Sequence, residues 1–269
     1  MTAHPWGRLP VRLSLAWLGL VVACAIFAGL VPLPAPSAGL GGGLGEVCAR
    51  SVHGARTTLL VVLAVTLVAV SLGTIVGGLA GTGSRMAEFG LARGVELLGT
   101  WPSVILVALV RLVMPAGSIV ELVLLLGLLR AVHLGRLVRG ETLRLAAGDF
   151  AAAARALGVG RVGLLGRHLF PHLGGLLLAQ AALGAAWVVA LEAGLTMAGL
   201  GLAGDLPSWG LLVGNARALG LGAVALPATA ILLTSVSCGL LADAIDDARR
   251  PRRGPAASPA PPLRPEIGH

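Results

Sequence analysis

The sequence predicts an all-α, polytopic membrane protein with six transmembrane helices and a cytosolic loop between spans four and five. Three observations predict it. Of 269 residues, 56% are hydrophobic and only 12% charged, which is too apolar for a water-soluble domain. The apolar residues form continuous runs near membrane-spanning length instead of alternating, which indicates helices and not a barrel. The arginines gather in alternate connections, so one side of the membrane can be assigned as inside. The 40 glycines suit closely packed transmembrane helices, where small residues let backbones approach.

The first span, Leu13 to Val31, follows a short segment carrying Arg8 and Arg12. A cleaved signal peptide ending near Ala38 is the alternative. A Gly/Pro-rich external connection, Pro32 to Arg56, leads to a second span from Thr58 to Ala80, and Gly81 to Arg93 turns the chain back on the cytosolic side. The third span covers Val95 to Met114 and the fourth Ser118 to Val132. Glu96, Pro102, Arg111 and Glu121 interrupt or flank them, which predicts tilted or kinked helices. Pro102 is read as a kink that shapes a pathway. A fifth span, Leu173 to Leu195, is followed by a polar-punctuated excursion, Thr196 to Ala218, and by a sixth span from Leu221 to Leu241. The Pro/Arg-rich tail, Pro251 to His269, has a disordered composition. With both termini inside, Arg50, Arg56, Arg111 and Arg217 fall outside and the other sixteen of the twenty arginines inside.

Composition also excludes activities. Every basic residue other than histidine is arginine, so the chain lacks the lysine of a phosphate-binding P-loop and of a Schiff-base enzyme. No cofactor is expected, and ATP, if used, is bound by a partner. Cys24, Cys48 and Cys238 are widely spaced and form neither a disulfide framework nor a zinc pattern. His53, His133, His168 and His172 make no metal constellation, since Pro171 intervenes in the one i, i+4 pair and no acidic ligand is near. The net charge of +8 is a topological signal read by anionic lipid or a cytosolic partner, not by nucleic acid.

The most informative stretch is Asp149 to Pro171, DFAAAARALGVGRVGLLGRHLFP. Asp149 is expected as the N-cap of a short helix and Gly158 as its left-handed closing residue. Phe150, Ala153, Ala154 and Leu157 fall at i, i+3, i+4 and i+7, one face with two large knobs separated by small residues. Such a face fits a partner's groove; a hairpin packed on its own protein is the alternative. A second amphipathic piece, Arg161 to Phe170, is expected to stop at Pro171. Arg155, Arg161, Arg167 and His168 are candidates to pair with acidic groups on a partner.

The run ARALG, nine residues, then HLFP is similar to the conserved cytoplasmic loop of binding-protein-dependent ABC importer permeases. Ala153, Ala154, Gly158 and Pro171 occupy matching places, Phe170 replaces a Leu, and Ala152 replaces the family's Glu. With Asp149 as N-cap, Ala152 would be N3 and the reciprocal half of a capping box would be missing. LEAGLTMAGLGLAGDLPSWG, Leu191 to Gly210, resembles the stretch of the dipeptide, oligopeptide and nickel permeases that ends in Pro-Ser-Trp-Gly. The resemblance implies a permease domain at 56–250, preceded by an N-terminal segment, 1–55, and followed by the tail, 251–269. It implies a bacterial cytoplasmic-membrane location and half of a translocation pathway for di- or oligopeptides, or alternatively for nickel or a metal chelate. The implied partners are a homologous permease, two cytosolic ATPases and an extracytoplasmic binding protein. The loop would then be the coupling helix, and Pro207, Ser208, Trp209 and Gly210 would face the binding protein. Trp209 as an interfacial aromatic anchor is the alternative. Glu192, a carboxylate inside the fifth span, is either a pathway or gate residue or a helix-to-helix hydrogen bond. A stand-alone secondary transporter or channel is the rival class, but no acid in the first half matches Glu192 in depth.

Overall fold

The computed structural model describes residues 8–31, 44–99, 101–113, 118–201, 207–215 and 221–249, and these are helical throughout apart from short turns. The Pro251 to His269 tail, residues 32–43 of the expected external connection, and residues 202–206 and 216–218 of the excursion lie outside the described residues. The helices are α1 (Leu9–Phe27), α2 (Leu44–Gly81), α3 (Arg85–Gly99), α4 (Ser103–Val113), α5 (Ile119–Ala146), α6 (Asp149–Ala156), α7 (Arg161–Gly163), α8 (Phe170–Met197), α9 (Trp209–Gly214) and α10 (Leu221–Arg249).

Among the described residues four helices are long and apolar enough to cross a membrane: Leu9–Leu30, Gly45–Gly81, Phe170–Met197 and Val224–Arg249. The expected third span is broken. α3 and α4 stand 86° apart and count as one crossing only if the bent pair is taken together. Pro102 directly precedes α4, its carbonyl accepting from the N–H groups of Ile105 and Leu106, so it separates two helices instead of kinking one. The expected fourth span lies in α5, which is long enough but carries Glu121, Arg130 and Arg136 within its first eighteen residues. The second helix is longer than expected: it reaches back to Leu44, taking in a Gly-containing stretch read as connection. There Glu46 and Arg50 pair across one helical turn, so the two charges are matched without leaving the helix.

The scaffold is built on the close approach of α2 and α5. Gly73, Gly77 and Gly81 lie four apart on α2, and a Cβ on each would collide with α5 at Ala131 and Leu134, at Gly135, and at Thr142. Small residues at one-turn spacing let the two backbones touch where lipid supplies no hydrophobic drive for association. Around this pair Val61, Val65, Val107, Leu122, Leu126, Val188, Val189 and Leu195 form the main core, bringing α2, α4, α5 and α8 together. α1 closes against α10 through Trp17, whose indole N–H donates to Thr234 Oγ1 at 3.1 Å. Leu63, Leu67, Leu178 and Leu232 point outward, an arrangement suited to acyl chains.

Candidate functional site

The loop after α5 forms a compact unit whose two faces are distinct. α6 begins one residue before the expected register: Gly148, extended at φ −76° and ψ 156°, is the N-cap, and no side chain caps it. Asp149 is therefore the first helical residue, where a carboxylate still favours the helix N-terminus by charge. Ala152 becomes the fourth helical residue, so the capping-box argument about its missing Glu does not apply. The helix ends as expected. Gly158 takes φ +82°, its N–H bonds Arg155 O, and the N–H of Val159 bonds Ala154 O. These two bonds are the paired closure that a left-handed residue makes possible.

The inner face differs from the expected one. Ala151 and Ala154 are buried against Leu164 and Leu169, whereas Phe150 and Ala153 are exposed and Leu157 is 85% exposed. At about 100° per residue Ala154 lies about 40° to one side of Phe150 and Leu157 about 20° to the other. The edge of the buried arc runs between Phe150 and Ala154, so Ala154 belongs to the protein's own core. The other three form the outward knob. Arg155 folds back and donates to Ala146 O at 3.0 Å, one of the carbonyls that the end of α5 leaves without an intrahelical partner. Phe150 lies 6.3 Å from the His172 ring, centroid to centroid. α6 is thus fastened to both α5 and α8.

Pro171 does not stop a helix. α7 runs into a π-helical segment, Leu164–Leu169, and on into α8 with Pro171 in its first turn. A proline lacks the N–H that would bond four residues back and its ring crowds that carbonyl, here Arg167's. A wider turn just upstream accommodates both. Arg167 and Pro171 are exposed; the side chains of Arg161 and His168 lie outside the described residues. A hollow of about 770 Å³ opens beside the loop, between Thr82 and Gly83 at the α2–α3 turn, the end of α5, and Gly158 to Gly160.

At the other end of α8, the residues expected to face a binding protein are turned inward. Ser208 and Trp209 are nearly fully buried, Gly210 is buried and Pro207 partly so. Ser208 caps α9, its hydroxyl accepting from Leu211 N–H. The Trp209 indole N–H donates to Ser51 O at 2.9 Å, and the ring lies on Gly54, where a Cβ would come within 3.1 Å of it. Val21, Ala55 and Ala230 complete its pocket. A Cβ on Gly210 would meet the Ala193 Cα at 2.7 Å. The motif is therefore a wedge that locks α9 to α1, α2, α8 and α10, and the interfacial-anchor alternative fails for the same reason. Trp209→Ala is expected to destabilise the protein by about 3–5 kcal/mol, read as a lower thermal unfolding midpoint in detergent. Trp209→Phe should lose much less.

Glu192 is fully buried and accepts from Thr196 Oγ1 at 3.0 Å, one turn along the same helix. That bond is within α8, while the side chain of Ser208, which caps α9, also hydrogen-bonds the carboxylate and links the two helices. Among the described residues no three His, Cys, Asp or Glu side chains converge as metal ligands. A further cavity between α3, α5 and α8 brings together Trp101, Arg130, His133, Arg136 and Trp187. Of these, only His133 is named from the sequence, and there as part of no site. The available signal is a basic side chain at every third residue from 130 to 139, beginning within the apolar first part of α5.

Residues 73–254 match the family described as the binding-protein-dependent transport system inner membrane component, a stretch that includes the loop and the Pro-Ser-Trp-Gly wedge. A peptide permease protein of Brucella ovis is 31% identical over 212 residues, covering 77% of this chain and 70% of the relative. An oligopeptide transport system permease protein of Haemophilus influenzae is 29% identical, covering 77% and 67%. A dipeptide transport system permease protein of Alkalihalophilus pseudofirmus is 27% identical, covering 77% and 69%.

Proposed function

The chain belongs to the binding-protein-dependent inner-membrane components of ABC transporters, and from that premise we propose that it is a peptide permease whose α6 knob couples it to cytosolic ATPases. The observation that carries the coupling is the division of α6. Ala151 and Ala154 are locked into the chain while Leu157, 85% exposed, projects beside a helix end closed by Gly158. An apolar knob on a fastened helix is suited to a partner's groove. Burying Leu157 there would contribute about 1.5–3 kcal/mol, enough to dock but not to drive transport. The driving force comes from the ATPases, whose closure moves the loop and, through the π segment, α8 as a lever.

In this reading the chain crosses the inner membrane six times with both termini in the cytosol, the bent α3–α4 pair and the apolar first half of α5 serving as spans three and four. With Arg130 inside a span, the fifteen-to-four division of the remaining arginines supports that orientation. A homologous permease supplies the other half of the pathway, two ATPases bind ATP, and an extracytoplasmic binding protein delivers substrate. Peptide is the substrate class because the relatives carry peptide, oligopeptide and dipeptide in their names.

The test is purification of the tagged chain with its partners, followed by uptake in vesicles. Wild type should bring down a second permease and ATPases and take up peptide only with ATP. Gly158→Pro, which cannot adopt φ +82°, should lose the ATPases while the second permease stays bound. Uptake that persists without ATPases would sink the importer reading in favour of a secondary transporter.

A further inference from the structure

The cavity between α3, α5 and α8 has a volume of about 360 Å³, within the range of roughly 300–1,000 Å³ usual for small-molecule sites. Arg130, His133 and Arg136 line it from successive turns of α5, and Trp101 and Trp187 contribute from the α3–α4 break and from α8. Among the described residues none that lines it is acidic.

The cations of this cavity differ from six other arginines of the chain, while Arg111 and Arg155 share with them, among the described residues, the lack of a carboxylate partner. Arg8, Arg50, Arg93, Arg139, Arg144 and Arg249 each reach a carboxylate: Asp247, Glu46, Glu96, Glu88, Glu141 and Asp246 respectively. Among the described residues Arg130 and Arg136 have no such pair. Arg130 Nη2 donates to the neutral amide oxygen of Gln180 at 3.4 Å, and its guanidinium lies over Gly184, where a Cβ would come within 3.2 Å of Nε. Arg136 Nη2 lies 3.5 Å from His133 Nδ1. A guanidinium can only donate, so this contact makes Nδ1 the acceptor and leaves Nε2 as the donor of the ring. The cavity thus presents two unneutralised guanidinium forks and one further N–H.

Depth separates the candidate anions. Arg130 lies eleven residues beyond Ile119, the start of α5, which at about 1.5 Å per residue is roughly 16 Å. With α5 entering the membrane at its start, as in the six-span reading above, Arg136, about 25 Å along, lies toward the cytosolic face. Arg130 is near the middle of a hydrocarbon layer of about 30 Å, too deep for a lipid headgroup. Charged side chains at that depth face a water-filled path or a partner, not acyl chains. We propose that this cavity fronts the translocation pathway and binds the carboxylate at the C-terminus of the peptide in transit, with Arg130 and Arg136 as charge partners and Trp101 and Trp187 as apolar walls for the adjoining residue. The proposal rests on the peptide reading above. A planar fork matches a carboxylate in two parallel bonds, so a free terminus is taken and an amidated one is not.

The test uses the complete transporter, with its ATPases and binding protein, in vesicles, and compares uptake of trialanine with that of trialaninamide. The binding protein is common to every arm, so its own preference cancels when the acid-to-amide ratio of a variant is divided by that of wild type. Arg130→Gln is expected to lower that ratio about tenfold, with amide uptake within about twofold of wild type, the scale of a lost bond between charged groups. Arg136→Gln, an exposed side chain whose loss opens no buried void, should lower it in the same direction by roughly three- to tenfold. An unchanged ratio, or equal loss for both peptides, would overturn the proposal. So would a defect that follows the phosphatidylglycerol content of the vesicles in place of the peptide terminus, which would make a headgroup the occupant. If wild type takes up neither peptide while its ATPases still respond to another substrate, the peptide reading fails and the carboxylate site fails with it.

Discussion

Gly77→Ala is expected to destabilise the bundle by about 3 kcal/mol or more, the upper end of the cost of overpacking, and to abolish transport. The Cβ it introduces would lie 2.9 Å from the Gly135 Cα and closer still to the Gly135 carbonyl oxygen. Both obstacles are backbone, so no side chain can rotate away. α2 and α5 would have to separate, and every contact along Gly73, Gly77 and Gly81 would loosen together. Gly77→Leu should give no folded protein. Gly140→Ala is the control: nothing lies within 4 Å of its Cβ position, and replacing a glycine inside a helix should gain up to about 1 kcal/mol. Unfolding in mixed micelles reads all three. A neutral Gly77→Ala would mean that the two helices do not approach as described.

Leu157→Asp is expected to leave the permease folded and to disconnect it from its ATPases. The side chain is 85% exposed, so the isolated chain should change by no more than about 0.5 kcal/mol. In the assembly the same change removes about 1.5–3 kcal/mol of apolar burial and adds an unpaired buried carboxylate, a cost of several kcal/mol. Substrate-stimulated ATP hydrolysis should fall at least about 100-fold, and the ATPases should be lost on co-purification. Leu157→Met, of similar volume, should keep most of both. Retained stimulation in Leu157→Asp would show that the ATPases grip the chain elsewhere.

Much of this protein can be read from interactions along the chain. The apolar runs disclose a helical membrane protein, and Gly158 announces its own left-handed closure, because both depend on neighbours within about a turn. The Gly148 cap and the continuous helix through Pro171 were missed at that same local scale. Asp149 was the more usual capping residue, and the π segment that lets a proline continue a helix leaves no mark in composition.

Which face of each helix is inside is a different matter. In a soluble protein the apolar stripe marks the core, but lipid-facing residues are as apolar as buried ones. Leu63 on α2 is outward while Val61 and Val65 on the same helix are inward, with nothing in their hydrophobicity to tell them apart. The alanines of α6 posed the same problem, since Ala153 and Ala154 are chemically identical and only the position of Leu164 and Leu169 makes Ala154 core. Trp209 reads as a surface aromatic until Gly54, 155 positions earlier, is brought beneath it. The membrane class and the uneven distribution of arginines are thus properties of the chain taken residue by residue. The α2–α5 glycine seam, the Trp209 wedge and the Arg130 cavity exist only once helices distant in sequence meet, because each depends on the shape and charge of a partner surface that local pattern does not encode.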